Sequence, residues 1–156
     1  MLRTAFLAAI ILAAPVPAAF AMGTTSSPAP AASTPYDEAV KLVQAKDYKG
    51  ATALLTGLVA AEPTNADAWN YLGYSERKLG NLPSALQAYG KALALQPEHR
   101  GANEYIGELY LQMGDLAKAK ERLAVLDKAC WLPCEEFTSL KEQINAYEAT
   151  KRPKTS

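Results

Sequence analysis

The feature that most constrains this chain is a repeat of 34 residues. Laying residues 66–99 over 100–133 brings Leu72-Gly73 onto Ile106-Gly107, Leu79-Gly80-Asn81-Leu82 onto Met113-Gly114-Asp115-Leu116, and Ala85 onto Ala119. The same shift backwards, onto 32–65, sets Ala39, Ala51, Leu55 and Pro63 beneath Gly73, Ala85, Tyr89 and Pro97. Units this short cannot bury a core alone, so three of one length have to stack on each other.

Each unit reads as two helices. In 66–99 the first runs from about Ala66 to Leu79, and Gly80 supplies the left-handed residue that ends it at least steric cost. Asn81 is placed to cap the second helix, Pro83 sits in its first turn, and Pro97 stops the chain after Leu95. Gly114 and Asp115 repeat the first two roles one unit later. The small Gly73 and Ala85 are expected to face each other across the pair, with Trp69, Leu72, Leu86, Tyr89 and Leu93 filling the space around them.

These residues resemble the tetratricopeptide repeat, whose order of Trp, Leu-Gly, Ala, aromatic, Ala and Pro is met by Trp69, Leu72-Gly73, Ala85, Tyr89, Ala92 and Pro97. Glu76 stands where the family usually has Tyr, and Pro35 and Asn103 replace the Trp in the outer units. The resemblance implies an all-α, right-handed superhelix of three helix-turn-helix units with a concave face that receives peptides, serving as an adaptor without catalysis. A further helix over 135–149, with Phe137, Leu140, Ile144 and Tyr147 on one stripe, reads as the cap that covers the last unit's apolar end.

Outside the repeats, residues 1–21 read as a secretory signal peptide: Arg3, an apolar run from Ala5 to Ala14, Pro15 and Pro17, then Ala19-Phe20-Ala21. The apolar run is about half the roughly 20 residues needed to cross a bilayer. Residues 22–34 hold only small residues, Pro and one Met, and are expected to be a disordered linker; 150–156 are expected to be a disordered tail. The tetratricopeptide domain is therefore 35–149, exported to the periplasm as a soluble protein with no stable membrane insertion.

The chain carries 16 Lys+Arg and 16 Asp+Glu, a balance that argues against nucleic acid as partner. One His, and the lack of G-x-S-x-G, H-E-x-x-H or a phosphate-cradling glycine loop, set enzymatic chemistry aside; no cofactor is expected. Cys130 and Cys134 bracket Trp131-Leu132-Pro133. In an exported protein the default is a disulfide; a redox pair and a metal site are the alternatives, although the spacing is one longer than C-x-x-C and no further ligands can be placed. The Cys-containing ending also resembles that of small exported bacterial tetratricopeptide proteins. The alternative function is thus thiol-dependent redox or metal handling.

In the family the first helix of each unit faces the groove. By that resemblance the middle unit presents Asp67, Asn70, Tyr74, Arg77 and Lys78. The third presents Gly101, Glu104, Glu108, Leu111 and Gln112, and the first Ser33, Tyr36, Val40, Val43 and Gln44. The groove should grade from apolar through basic and aromatic to acidic. Tyr36, Asn70, Tyr74, Arg77, Lys78, Glu104 and Glu108 are the candidate contacts to a protein or peptide ligand, with Tyr74 and Arg77 foremost. The family's chaperone-type carboxylate clamp is missing, because Tyr36 and Val40 stand at its positions. Self-association through stacked repeat ends is a further reading.

Overall fold

The computed structural model describes residues 33–151. The expected signal peptide and most of the linker and tail lie outside that range. Among the described residues there are seven α-helices and no strand: α1 Pro35–Gln44, α2 Tyr48–Ala61, α3 Ala66–Lys78, α4 Leu82–Leu95, α5 Arg100–Gln112, α6 Leu116–Ala129 and α7 Glu135–Lys151. They form a right-handed superhelical stack of three helix-turn-helix units closed by α7.

Each boundary has a local cause. Thr34 caps α1 through a reciprocal box with Asp37, whose N–H donates to Thr34 Oγ1 at 3.1 Å while Thr34 N–H donates to Asp37 Oδ2 at 2.9 Å. The last residue of the expected linker is therefore an ordered cap. Asp47, Asn65 and Asp115 cap α2, α3 and α6 more simply, each side chain accepting one backbone N–H, from Gly50, Ala68 and Lys118. Asn81 occupies the cap position of α4 but does not cap with its side chain; Nδ2 turns back to Glu76 Oε2 at 2.7 Å. Gly80 and Gly114 end α3 and α5 at φ +83°, where a side chain would be strained. α7 runs two residues past its expected end, to Lys151.

The core lies between neighbouring units as much as within them. Ala39, Val43, Ala51 and Leu55 of the first unit pack with Ala68 and Leu72 of the second, and Ala85 and Tyr89 of the second pack with Ile106 and Leu109 of the third. Gly73 makes room for a ring: a Cβ there would meet Tyr89 Cδ1 and Cε1 at 2.7 Å. Gly107, one repeat on, instead receives Leu140 of α7, whose Cδ2 would lie 2.6 Å from an added Cβ. Leu140 and Ile144 are buried against Leu111, Ala119 and Leu126, so α7 covers the end of the last unit.

The substitution of Trp by Asn in the third unit has a physical equivalent. Trp69 Nε1–H donates to the Pro63 carbonyl at 2.9 Å, and Asn103 Nδ2–H donates to the Pro97 carbonyl at 2.9 Å. Donor and acceptor are each displaced by one repeat, so a different side chain ties the first helix to the preceding turn.

Candidate functional site

The first helices lie in a row, α1 beside α3 and α3 beside α5, with α7 against α5. Between them is a cavity of about 380 Å³. Three of the residues expected to face a partner meet there: Tyr36 from α1, Asn70 from α3 and Glu104 from α5. Its other walls come from Asp67, Tyr71 and Tyr105 and, from α7, Glu135, Glu136 and Ser139.

The remaining expected residues form a separate cluster around a buried ion pair, in which Arg77 Nε has no hydrogen-bond partner. Arg77 is 6% exposed, and its Nη2 lies 2.5 Å from Glu108 Oε2. Its guanidinium also sits 5.5 Å from the Tyr74 ring centre and 5.9 Å from that of Tyr105. Burial pulls its pKa down, but the facing Tyr89 and Glu108 outweigh that and hold it above the ordinary value. Glu108 accepts a further short hydrogen bond from Gln143 of α7. Lys78 is exposed, its Nζ 5.1 Å over the Tyr74 ring. The expected basic middle of the groove is thus corrected: Arg77 is an internal counter-ion, because the stacking angle of the units carries Glu108 onto it. Val43, expected on the groove face, is buried in the core, whereas Leu111 lines a second cavity of about 400 Å³ with Glu108 and Gln112 of α5 and Gln143 and Tyr147 of α7.

The cavity, by contrast, is acidic. Glu104 is 8% exposed, and its carboxyl is pushed above the usual range, first by burial and then by Glu108, Glu136 and Glu135, against a lowering hydrogen bond from Ser139. Burial likewise holds the phenols of Tyr36 and Tyr105 well above their usual range, with Asp67 adding to the first and Glu104 to the second. His99 caps α5 by accepting the Ala102 N–H at Nδ1, so Nε2 carries the proton and donates to Asp67 Oδ1 at 2.9 Å. The tyrosines run as a ladder: Tyr36 to Tyr71 at 5.8 Å between ring centres, Tyr74 to Tyr105 at 4.9 Å.

Tyr71, Tyr105 and the α7 residues are absent from the expected set. A signal for them exists in the repeat itself, since Tyr71, Tyr105 and Ser139 are spaced by 34, as are Leu72, Ile106 and Leu140. α7 is in register as the first helix of a further unit, so it adds a wall to the groove as well as covering the end.

The sulfurs of Cys130 and Cys134 meet across the turn between α6 and α7, with Cα atoms 5.8 Å apart. Among the described residues no group of three or more His, Cys, Asp or Glu is arranged to hold a metal ion. No helix among them is long and apolar enough to cross a membrane.

Comparison with known proteins assigns the repeat. The tetratricopeptide repeat family model matches residues 66–99, the unit with the full Trp, Leu-Gly, Ala and Pro pattern. Residues 66–99 are a tetratricopeptide repeat. The chain is 35% identical over 75 residues, 48% of its length, to protein FlbA of Caulobacter vibrioides. It is 27% identical over 116 residues, 67% of its length, to tetratricopeptide repeat protein 37 of Xenopus laevis. It spans only 13% and 7% of those two proteins. Among solved structures it is similar to the type III secretion translocator chaperone SycD of Yersinia enterocolitica, with TM-score 0.68 at 20% identity, covering 75% of this chain and 83% of that one. That similarity is one of fold: a stack of antiparallel helix pairs.

Proposed function

We propose that this protein is a non-catalytic adaptor that holds a protein or peptide partner on the concave face of its tetratricopeptide stack, in the periplasm after export. The observation that carries this reading is the cavity between α1, α3, α5 and α7, in which Tyr36, Asn70 and Glu104 converge from three separate units. Three units contributing one wall each is the geometry of an extended ligand laid across a solenoid. The fold neighbours support it: SycD has been solved with a peptide of the translocator YopD, and PcrH with the chaperone-binding region of PopD. Tyr36, Asn70, Tyr74, Lys78 and Glu104 are the proposed contacts, with Arg77 and Glu108 bracing α3 against α5 behind them. The Cys130–Cys134 pair, at the junction with α7, is proposed as a structural disulfide that fixes the approach of that helix.

The test uses the full mature chain as bait for periplasmic extract under non-reducing conditions, alongside a Tyr36→Ala/Tyr74→Ala variant. Both rings are only half-buried, so helicity by circular dichroism should be unchanged. A protein retained by the natural chain and lost by the variant is the expected result. Equal retention by both would refute the assignment of this face, and retention that requires a free thiol would refute the structural role of the cysteines.

A further inference from the structure

We propose that the cavity receives the guanidinium of an arginine side chain in a basic segment of the partner. This rests on the adaptor reading and specifies the chemistry that reading leaves open.

The charge balance of the cavity is one-sided. Asp67 from α3, Glu104 from α5, and Glu135 and Glu136 from α7 line it, while no Lys or Arg is among the described residues of its wall. Arg77 and His99 are both engaged already. Arg77 is bound to Glu108 and the tyrosine rings, and the His99 imidazole spends one nitrogen on the α5 cap and the other on Asp67. The positive ends of α3 and α7 are already faced by Asp67, Glu135 and Glu136 in their first turns.

A second observation points to a hydrogen-bond donor as the missing partner. Asn70 is 4% exposed and lines this cavity, yet its Oδ1 has no hydrogen-bond partner. Buried amide oxygens are nearly always satisfied. Gly101 keeps space beside the amide: a Cβ there would come within 3.1 Å of Asn70 Nδ2.

The shape of the ligand follows from the remaining walls. The carboxylates are not grouped as a metal site requires, which favours an organic cation. Tyr36, Tyr71 and Tyr105 line the same cavity as the carboxylates. A guanidinium stacks flat on such rings while its fork of N–H donors reaches carboxylates and an amide oxygen together; a lysine ammonium can sit over a ring but has neither the planar stack nor the fork.

The test is nuclear magnetic resonance titration of the ¹⁵N-labelled full chain with the peptide acetyl-Gly-Ser-Arg-Ser-Gly-amide, and with the same peptide carrying citrulline, the neutral isostere. Saturable shifts are expected at the Gly101, Glu104 and Tyr105 amides and the Asn70 side-chain amide, with the citrulline peptide weaker by about tenfold. Glu104→Gln with Glu136→Gln should weaken the arginine peptide by about fivefold at unchanged helicity, and added salt should weaken it further. Equal binding of the two peptides, or shifts centred elsewhere, overturns the proposal. A displayed random-peptide library panned on the same chain separates this from the adaptor reading. Enriched peptides that need Tyr36 and Tyr74 but lack arginine, or that bind through a free C-terminal carboxylate, overturn the arginine assignment alone. Enrichment of none overturns both.

Discussion

Replacing Arg77 with Met tests whether this side chain braces the fold or belongs to the partner surface. The pair Arg77–Glu108 is buried, with side-chain exposures of 3% and 13% and a separation of 2.5 Å. At that distance the gross attraction is about 7 kcal/mol at an effective dielectric of about 20, and most of it is offset by the desolvation of the two ions. The cost of removing one partner is different, because the other charge stays buried without its counter-ion. Arg77→Met should therefore lower stability by about 3 kcal/mol, as should Glu108→Met, which also orphans Gln143. The Arg77→Met/Glu108→Met double variant should cost less than the sum by about 2 kcal/mol. Urea unfolding followed by circular dichroism measures this, with the midpoint read at a constant denaturant slope, and the melting temperature of either single variant should fall by about 10 °C. A solvent-exposed pair would be worth about 0–1 kcal/mol. If Arg77→Met costs less than about 0.5 kcal/mol, or the two substitutions are additive, the brace is refuted and Arg77 returns to the set of groove cations.

Other expectations follow from particular residues. Leu140→Ala should cost about 3 kcal/mol, since Leu140 is fully buried against Gly107 and the last unit, and hydrogen exchange should show α7 loosened first. Cys130→Ser should lower stability by about 2 kcal/mol by the loop-entropy account, and the natural protein taken from its compartment should resist alkylation; a readily alkylated pair would revive the thiol-dependent reading. Glu104→Gln should raise the urea midpoint at pH 7. The folded-state pKa of Glu104 is raised, so protonation stabilises the fold at low pH and that stability is lost as pH rises through the folded value. The advantage of Gln should accordingly shrink as the pH falls towards 4.5, and a constant advantage would show that burial of Glu104 carries no electrostatic cost. Asp47→Ala should cost about 1 kcal/mol through the lost α2 cap, read in the same unfolding assay.

Much of the fold is legible in the residues taken in order. The spacing of Leu72-Gly73 and Ile106-Gly107, the glycines at 80 and 114, and Pro83 and Pro97 place the four helices α3 to α6 because each signal acts over one or two turns of chain, and the 34-residue shift carries the pattern back onto α1 and α2. The stripe of Phe137, Leu140, Ile144 and Tyr147 likewise announces α7. The candidate site was legible only in part. Tyr36, Asn70 and Glu104 do share one cavity, whereas Arg77 and Glu108 are consumed by each other, and Tyr71, Tyr105, Glu135 and Glu136 complete walls that local pattern did not assign.

Local sequence, then, determined the period, the caps and the apolar faces, because these depend on residues a few positions apart. Only the tertiary structure decided which polar side chains remain open to a partner. That outcome depends on the angle between successive helix pairs, which brings Glu108 onto Arg77 and carries the first turn of α7 beside Glu104. Charge pairing between residues separated by a whole repeat is a property of the stack, and no single unit contains it.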